Sequence, residues 1–147
     1  MTTSPAGRKL VASFEGYAPG AYLDQRGVRT LGVGHTLGVK MGDICTQAQA
    51  DAWLEEDLAT AEGAVNRLVP ASVLNQNRFD ALVDFCYNEG EGHLAESTVL
   101  KRLVQKPPDF LAAAEAFQMW NLIAGKVSPG LMRRRQAEMA LFLTPIS

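Results

Sequence analysis

Between residues 16 and 42 the chain carries seven glycines, at 16, 20, 27, 32, 34, 38 and 42. An interior glycine costs a helix about 1 kcal/mol against alanine, so no long helix can run through this stretch. Apolar residues at helical spacing lie on both sides of it. The expected order is therefore helix, small β region, then helices to the end, an α+β arrangement. Within the glycine-rich stretch, Ala21-Tyr22-Leu23-Asp24, a turn at Gln25-Arg26-Gly27, and Val28 to Val33 spell a β-hairpin. A short third strand is expected around Val39 to Met41.

Ser4-Pro5 reads as an N-cap followed by proline at the first helical position, and Leu10, Val11 and Phe14 form the apolar stripe of a helix ending near Glu15-Gly16. Thr46-x-x-Gln49 is a capping box. Leu54, Leu58, Ala61, Val65 and Leu68 follow at helical spacing as far as Pro70. This predicts a helix over 46–69, about 35 Å long, with Asp51, Glu55, Glu56 and Glu62 on its exposed side. Asn75 to Asn88 repeats the pattern until Glu89-Gly90-Glu91-Gly92 breaks it. A short helix over 97–105, one over 109–120 and a last one from Ser128-Pro129 to about Leu143 complete the chain. The helix over 46–69 thus joins a small β-hairpin-bearing N-terminal lobe (16–45) to a larger helical C-terminal lobe (70–147, with 1–15). All 147 residues are expected to form a single domain.

Hydrophobic residues make up 47% of the sequence, which excludes disorder, and no uninterrupted apolar stretch approaches the ~18 residues of a membrane span. Met1 to Ser13 shows no signal-peptide pattern. Residues 1–100 hold 13 acidic and 7 basic side chains, against 3 and 7 in residues 101–147. The net charge of −2 argues against nucleic-acid binding. The run Arg133-Arg134-Arg135 reads as a solvated helix face with one ion pair, or as a contact for an anionic partner. Cys45 and Cys86 have no C-x-x-C and no nearby histidine at ligand spacing, so two free thiols are expected, with no metal and no cofactor.

The polar residues around the first helix end are the chemically informative ones. Glu15 closes an apolar helix face beside Phe14. Asp24 sits nine residues on, at a turn open to water, and the hairpin brings Thr30 back beside the Asp24 strand. Two carboxyl groups in unlike surroundings suit a paired acid and base, and a hydroxyl between them could position water. Glutamate at a helix end and aspartate at a turn are equally common as plain surface residues.

Phe14-Glu15-Gly16, Ala21-Tyr22-Leu23-Asp24, Gly27 and Thr30-Leu31-Gly32-Val33-Gly34-His35-Thr36 together resemble the phage-type lysozymes, the endolysins of glycoside hydrolase family twenty-four. Their pattern is Glu, eight residues, Asp, five residues, Thr, then G-x-G-H. The likeness continues through Gln76-x-x-Phe79-Asp80-Ala81-Leu82-Val83, Asn88, Ser97-Thr98, Trp120-Asn121 and Pro129-Gly130-Leu131-x-Arg133-Arg134-Arg135-x-x-Glu138, over about residues 5–143. It implies a lysozyme-like fold and a muramidase that cuts the β-1,4 bond between N-acetylmuramic acid and N-acetylglucosamine in bacterial peptidoglycan. By the same resemblance Glu15 is the general acid, Asp24 the base or charge stabiliser, and Thr30 helps hold the attacking water.

Tyr87 and Ser97 match positions lining the family's sugar cleft, although Tyr87 also fits plain helical packing and Ser97 a bare N-cap. His35 matches a structural histidine paired with an acid on the long helix, here Asp57. One arginine of the 133–135 group is expected to contact Glu15. The implied protein is a monomer acting on glycan strands of the cell wall, made in the host cytoplasm and released with a separate holin. Two competing functions are a glycan-binding relative that does not cut and a hydrolase of chitin-like chains.

Overall fold

A computed structural model describes residues 1–146. Helix α1 (Pro5–Glu15) starts where Ser4 Oγ accepts from Gly7 N and ends at Gly16, whose φ of 67° no β-carbon would favour. Strands β1 (Ala18–Leu23) and β2 (Arg29–Gly32) pair antiparallel, with Tyr22 opposite Thr30 and Leu23 opposite Arg29. The expected third strand at Val39–Met41 does not form. Gly38 and Gly42, at φ 70° and 97°, turn the chain on either side of that segment. Only the residues beyond it run along β1, through a single bridge between Gly20 and Ile44.

Helix α2 (Gln47–Leu68) opens with the full capping box, Thr46 to Gln49 and back, and buries Ala50, Leu54, Leu58, Ala61, Ala64 and Val65 on one stripe. Glu62 departs from the expected solvent side: its carboxylate accepts from the Thr3 backbone N–H at 2.8 Å and from the Thr3 hydroxyl. Helix α3 (Gln76–Glu89) is the core element. Phe79, Leu82, Val83 and Phe85 on it are fully buried. It packs against α1, α2 and the last helix, α7 (Pro129–Leu143).

The break expected across residues 89–92 is narrower than the sequence implied. Gly90, at φ 92°, turns the chain alone, and a short helix α4 (Glu91–Glu96) follows at once because Leu94 is drawn into the core. Then come α5 (Thr98–Val104) and α6 (Phe110–Ala116), the latter tightening into a 3₁₀ turn at Phe117–Met119 in place of the α-helix expected to 120. A hairpin that the periodicity did not signal, β3 (Leu122–Ile123) and β4 (Lys126–Val127), precedes α7. Its two turn residues, Ala124 and Gly125, both take positive φ, as a two-residue hairpin turn demands. Phe85, Phe117 and Phe142 meet edge to face, with ring centroids 5.4 and 5.7 Å apart, and tie α3, the 3₁₀ turn and α7 together.

Candidate active site

Glu15 is the last residue of α1, so its side chain leaves the helix where β1 begins to diverge. Its side chain is 19% exposed, largely withdrawn from water as its place beside Phe14 implied. Arg134 Nη1 donates to Glu15 Oε1 at 2.7 Å, which identifies the arginine of the 133–135 group that reaches it. On the other side the chain at Gly34 passes so close that a β-carbon there would stand 2.8 Å from Glu15 Oε2.

Asp24 caps the hairpin turn. Its Oδ1 accepts from the backbone N–H groups of Arg26 and Val28, both at 2.8 Å, while Oδ2 accepts no hydrogen bond among the described residues. Thr30 is buried, and its hydroxyl donates to Val28 O at 2.9 Å, leaving its lone pairs for another donor. Two cavities of about 490 and 590 Å³ share Glu15, Tyr22, Asp24, Arg26 and Asn88 as walls. They form a groove that passes over the Glu15–Asp24 pair, and Thr30 and Tyr87 line its first part. Arg26 spans the groove, donating to Glu89 Oε1 at 3.0 Å and to Asn88 O at 3.1 Å.

Tyr87 donates its phenol to Val33 O at 2.9 Å, and burial, with the charges of Glu15 and Asp57 nearby, keeps that phenol neutral. Ser97 lies elsewhere. It is 1% exposed, its hydroxyl donates to Leu94 O and caps Leu100 N at the start of α5, and it lines neither cavity. In the fold its hydroxyl serves as the N-cap of α5. His35 meets Asp57 at 2.8 Å through Nδ1 and stacks on Trp53 with ring centroids 4.6 Å apart, which fixes the β region to α2. Burial pushes the Cys86 thiol up to about 11, consistent with a small core side chain. Among the described residues no group of three His, Cys, Asp or Glu is placed to hold a metal.

The arginine run corrects the sequence-based expectation of a solvated face. Only Arg133 is exposed; Arg134 and Arg135 are 4% and 0% exposed. Arg134 binds Asp84 through two parallel bonds, Nε to Oδ2 at 3.0 Å and Nη2 to Oδ1 at 2.8 Å. Arg135 reaches Glu89, Asn88 and Glu138 at 2.7–2.9 Å. For Asp84, burial opposes the charge, but Arg134, a hydrogen bond with Glu138 and the charge of Arg135 outweigh it and hold its carboxyl below the usual range. For Glu138 the balance runs the other way. Burial, then the hydrogen bond and charge of the neighbouring Asp84, push it well above the usual range against the pull of Arg135 and Arg134, and among the described residues its Oε2 has no hydrogen-bond partner. Neither acid was singled out as a site residue from the sequence. Asp84 interrupts the apolar run Leu82 to Tyr87, and a charged residue inside such a run was the available signal.

The description "Phage lysozyme" belongs to the family model that matches residues 12–138. The endolysin of Salmonella phage P22 is 42% identical over 149 residues, covering 98% of this chain and 99% of its own. The endolysin of Acyrthosiphon pisum secondary endosymbiont phage 1 is 38% identical over 146 residues, covering 97% and 98%. Among solved structures, the muramidase domain of SpmX from Asticaccaulis excentricus superposes with a TM-score of 0.85 at 41% identity, covering 98% of this chain and 99% of that one.

Proposed function

This chain belongs to the phage lysozyme family and is a peptidoglycan-hydrolysing endolysin with a lysozyme-like fold, and from that premise we propose how its own residues cut the glycan. The bond broken is the β-1,4 link between N-acetylmuramic acid and N-acetylglucosamine. Glu15 gives a proton to the glycosidic oxygen. A water held by Asp24 Oδ2 and Thr30 Oγ1 attacks the anomeric carbon from the opposite face and passes its proton to Asp24. The bond to the leaving sugar breaks, and the configuration inverts.

The observation that carries this reading is the pairing of two differently held carboxyl groups across one groove. Glu15 is gripped by Arg134 and withdrawn from water, whereas Asp24 is fixed at a turn with one oxygen left over. Thr30 lines the same groove with its hydroxyl oriented by Val28. Tyr87 serves as wall and as a prop for the Gly34 turn, since its hydroxyl is already engaged by Val33.

The proposal extends to a monomer with one catalytic domain over residues 1–147, made in the host cytoplasm and admitted to the wall by a holin. Among the described residues no helix is long and apolar enough to cross a membrane.

Reducing-end release from purified peptidoglycan by Glu15→Gln tests the assignment. The amide is nearly isosteric and cannot supply the proton, and general acid catalysis contributes ~10²–10⁴-fold, so activity falls at least that far with the fold retained. A folded Glu15→Gln that turns over normally refutes it. Chitin as a parallel substrate shows whether the muramic acid unit is required.

A further inference from the structure

Among the described residues Arg134 is the one side chain that grips Glu15, and what fixes Arg134 lies outside the groove. Its guanidinium offers a rigid fork of donors. The edge made of Nε and Nη2 is taken by Asp84 at 3.0 and 2.8 Å, and the remaining arm, Nη1, meets Glu15 Oε1 at 2.7 Å. Asp84 is fully buried in the middle of α3 and lines neither cavity. Two parallel bonds fix the plane of the guanidinium as well as its position, so Asp84 sets where the arm toward Glu15 points.

We propose that Asp84 is a positioning residue for the reaction, holding and neutralising Arg134 so that Glu15 is oriented by the arginine without having to serve as its counter-ion. The inference rests on Glu15 being the general acid. A buried cation requires a carboxylate partner. Asp84 fills that need through its two bonds to the guanidinium, and Arg134 holds its carboxyl below the usual range. With Asp84 as its counter-ion, Arg134 orients Glu15 through the single hydrogen bond from Nη1. The titratable and charged groups around Glu15 are Arg134 from α7, Tyr87 and Glu89 from α3, Tyr22 from β1, Asp24 and Arg26 from the hairpin turn and Asp57 from α2. Those around Asp84 are Arg134, Arg135 and Glu138 from α7 and Tyr87 from α3.

The test is the pH profile and the split between kcat and KM for Asp84→Asn and Asp84→Glu on purified peptidoglycan, with Glu15→Gln in parallel and folded fraction measured by circular dichroism. In Asp84→Asn, Arg134 loses its bidentate carboxylate and keeps only Glu15 at hydrogen-bond distance, with Glu138 Oε1 4.0 Å from its Nε. The alkaline limb of activity moves about one pH unit lower, and kcat falls ~10²-fold as the carboxyl loses its placement, with KM little changed. Asp84→Glu keeps the charge but displaces the fork by one methylene, so kcat falls while the alkaline limb stays where it is. It decides the matter alone if Asp84→Asn does not fold. Either variant losing activity only in proportion to its unfolded fraction, or a folded Asp84→Glu with wild-type kcat, overturns the inference. Full activity in Glu15→Gln refutes the assignment of the acid itself, which is a separate outcome.

Discussion

Gly34→Ala is expected to damage turnover far more than folding. Gly34 sits at φ 71°, where an L-residue pays about 1–2 kcal/mol. For a chain of this size that corresponds to a fall of about 2–8 °C in Tm. The added methyl would also stand 2.8 Å from Glu15 Oε2, 2.9 Å from its carboxyl carbon and 3.0 Å from the Tyr87 hydroxyl, well inside the ordinary contact range that begins near 3.4 Å. Something has to move. The Tyr87 hydroxyl is held by Val33 O, and Arg134 is clamped on Asp84. The Glu15 carboxyl is the end of a flexible side chain and gives way most readily. A shift approaching 1 Å at the acid costs ~10²-fold in rate. The assay pairs thermal melting with initial rates of reducing-end release, corrected for folded enzyme. A folded Gly34→Ala with normal turnover would refute the argument, because it would mean that Glu15 does not work from the place where it stands. Loss of the fold without a separate loss of rate would show that Gly34 matters only for the turn.

Two further outcomes follow from the caps and the buried acids. Thr46→Ala removes the hydroxyl half of the α2 capping box, the bond from Gln49 N, and keeps the Thr46 N–H bond to Gln49; it should cost about 1 kcal/mol in chemical denaturation while leaving the rate of the folded enzyme unchanged. Glu138→Gln should gain on wild type as pH rises. Above ~4.3 the unfolded chain releases the Glu138 proton while the folded protein keeps it, so wild-type stability declines with pH by up to about 1.4 kcal/mol per unit from this group, and the amide has no such term. Denaturation midpoints at several pH values between 4.5 and 8 measure the difference, and a gap independent of pH would mean that Glu138 is ionised in the fold.

What the sequence determined by itself was local. The span of α1 from Ser4 to Gly16, the capping box at Thr46, the Asn75 start of α3 and the Ser128-Pro129 start of α7 are written in residues within a turn of each other. The same holds for the hairpin that sets Thr30 opposite Tyr22, beside Asp24. The motif spacing from Glu15 to His35 was legible for that reason, and with it the family. The third strand failed because two left-handed glycines bend a segment whose side chains favour a strand. The β3–β4 hairpin was missed because two-residue strands leave no period to read.

What only the tertiary structure decided is the fate of the charges. Arg133, Arg134 and Arg135 are identical side chains in one run, and nothing local separates them. One turn of α7 against α3 exposes the first and buries the other two. Arg134 thereby meets Asp84, 50 positions away, and Glu15, 119 positions away. The ionisation of Asp84 and Glu138 depends on those same distant partners and on their removal from water. Burial and long-range pairing are properties of the packed helices, so a carboxyl such as Asp84 looks like an interruption of an apolar run until α7 closes over it.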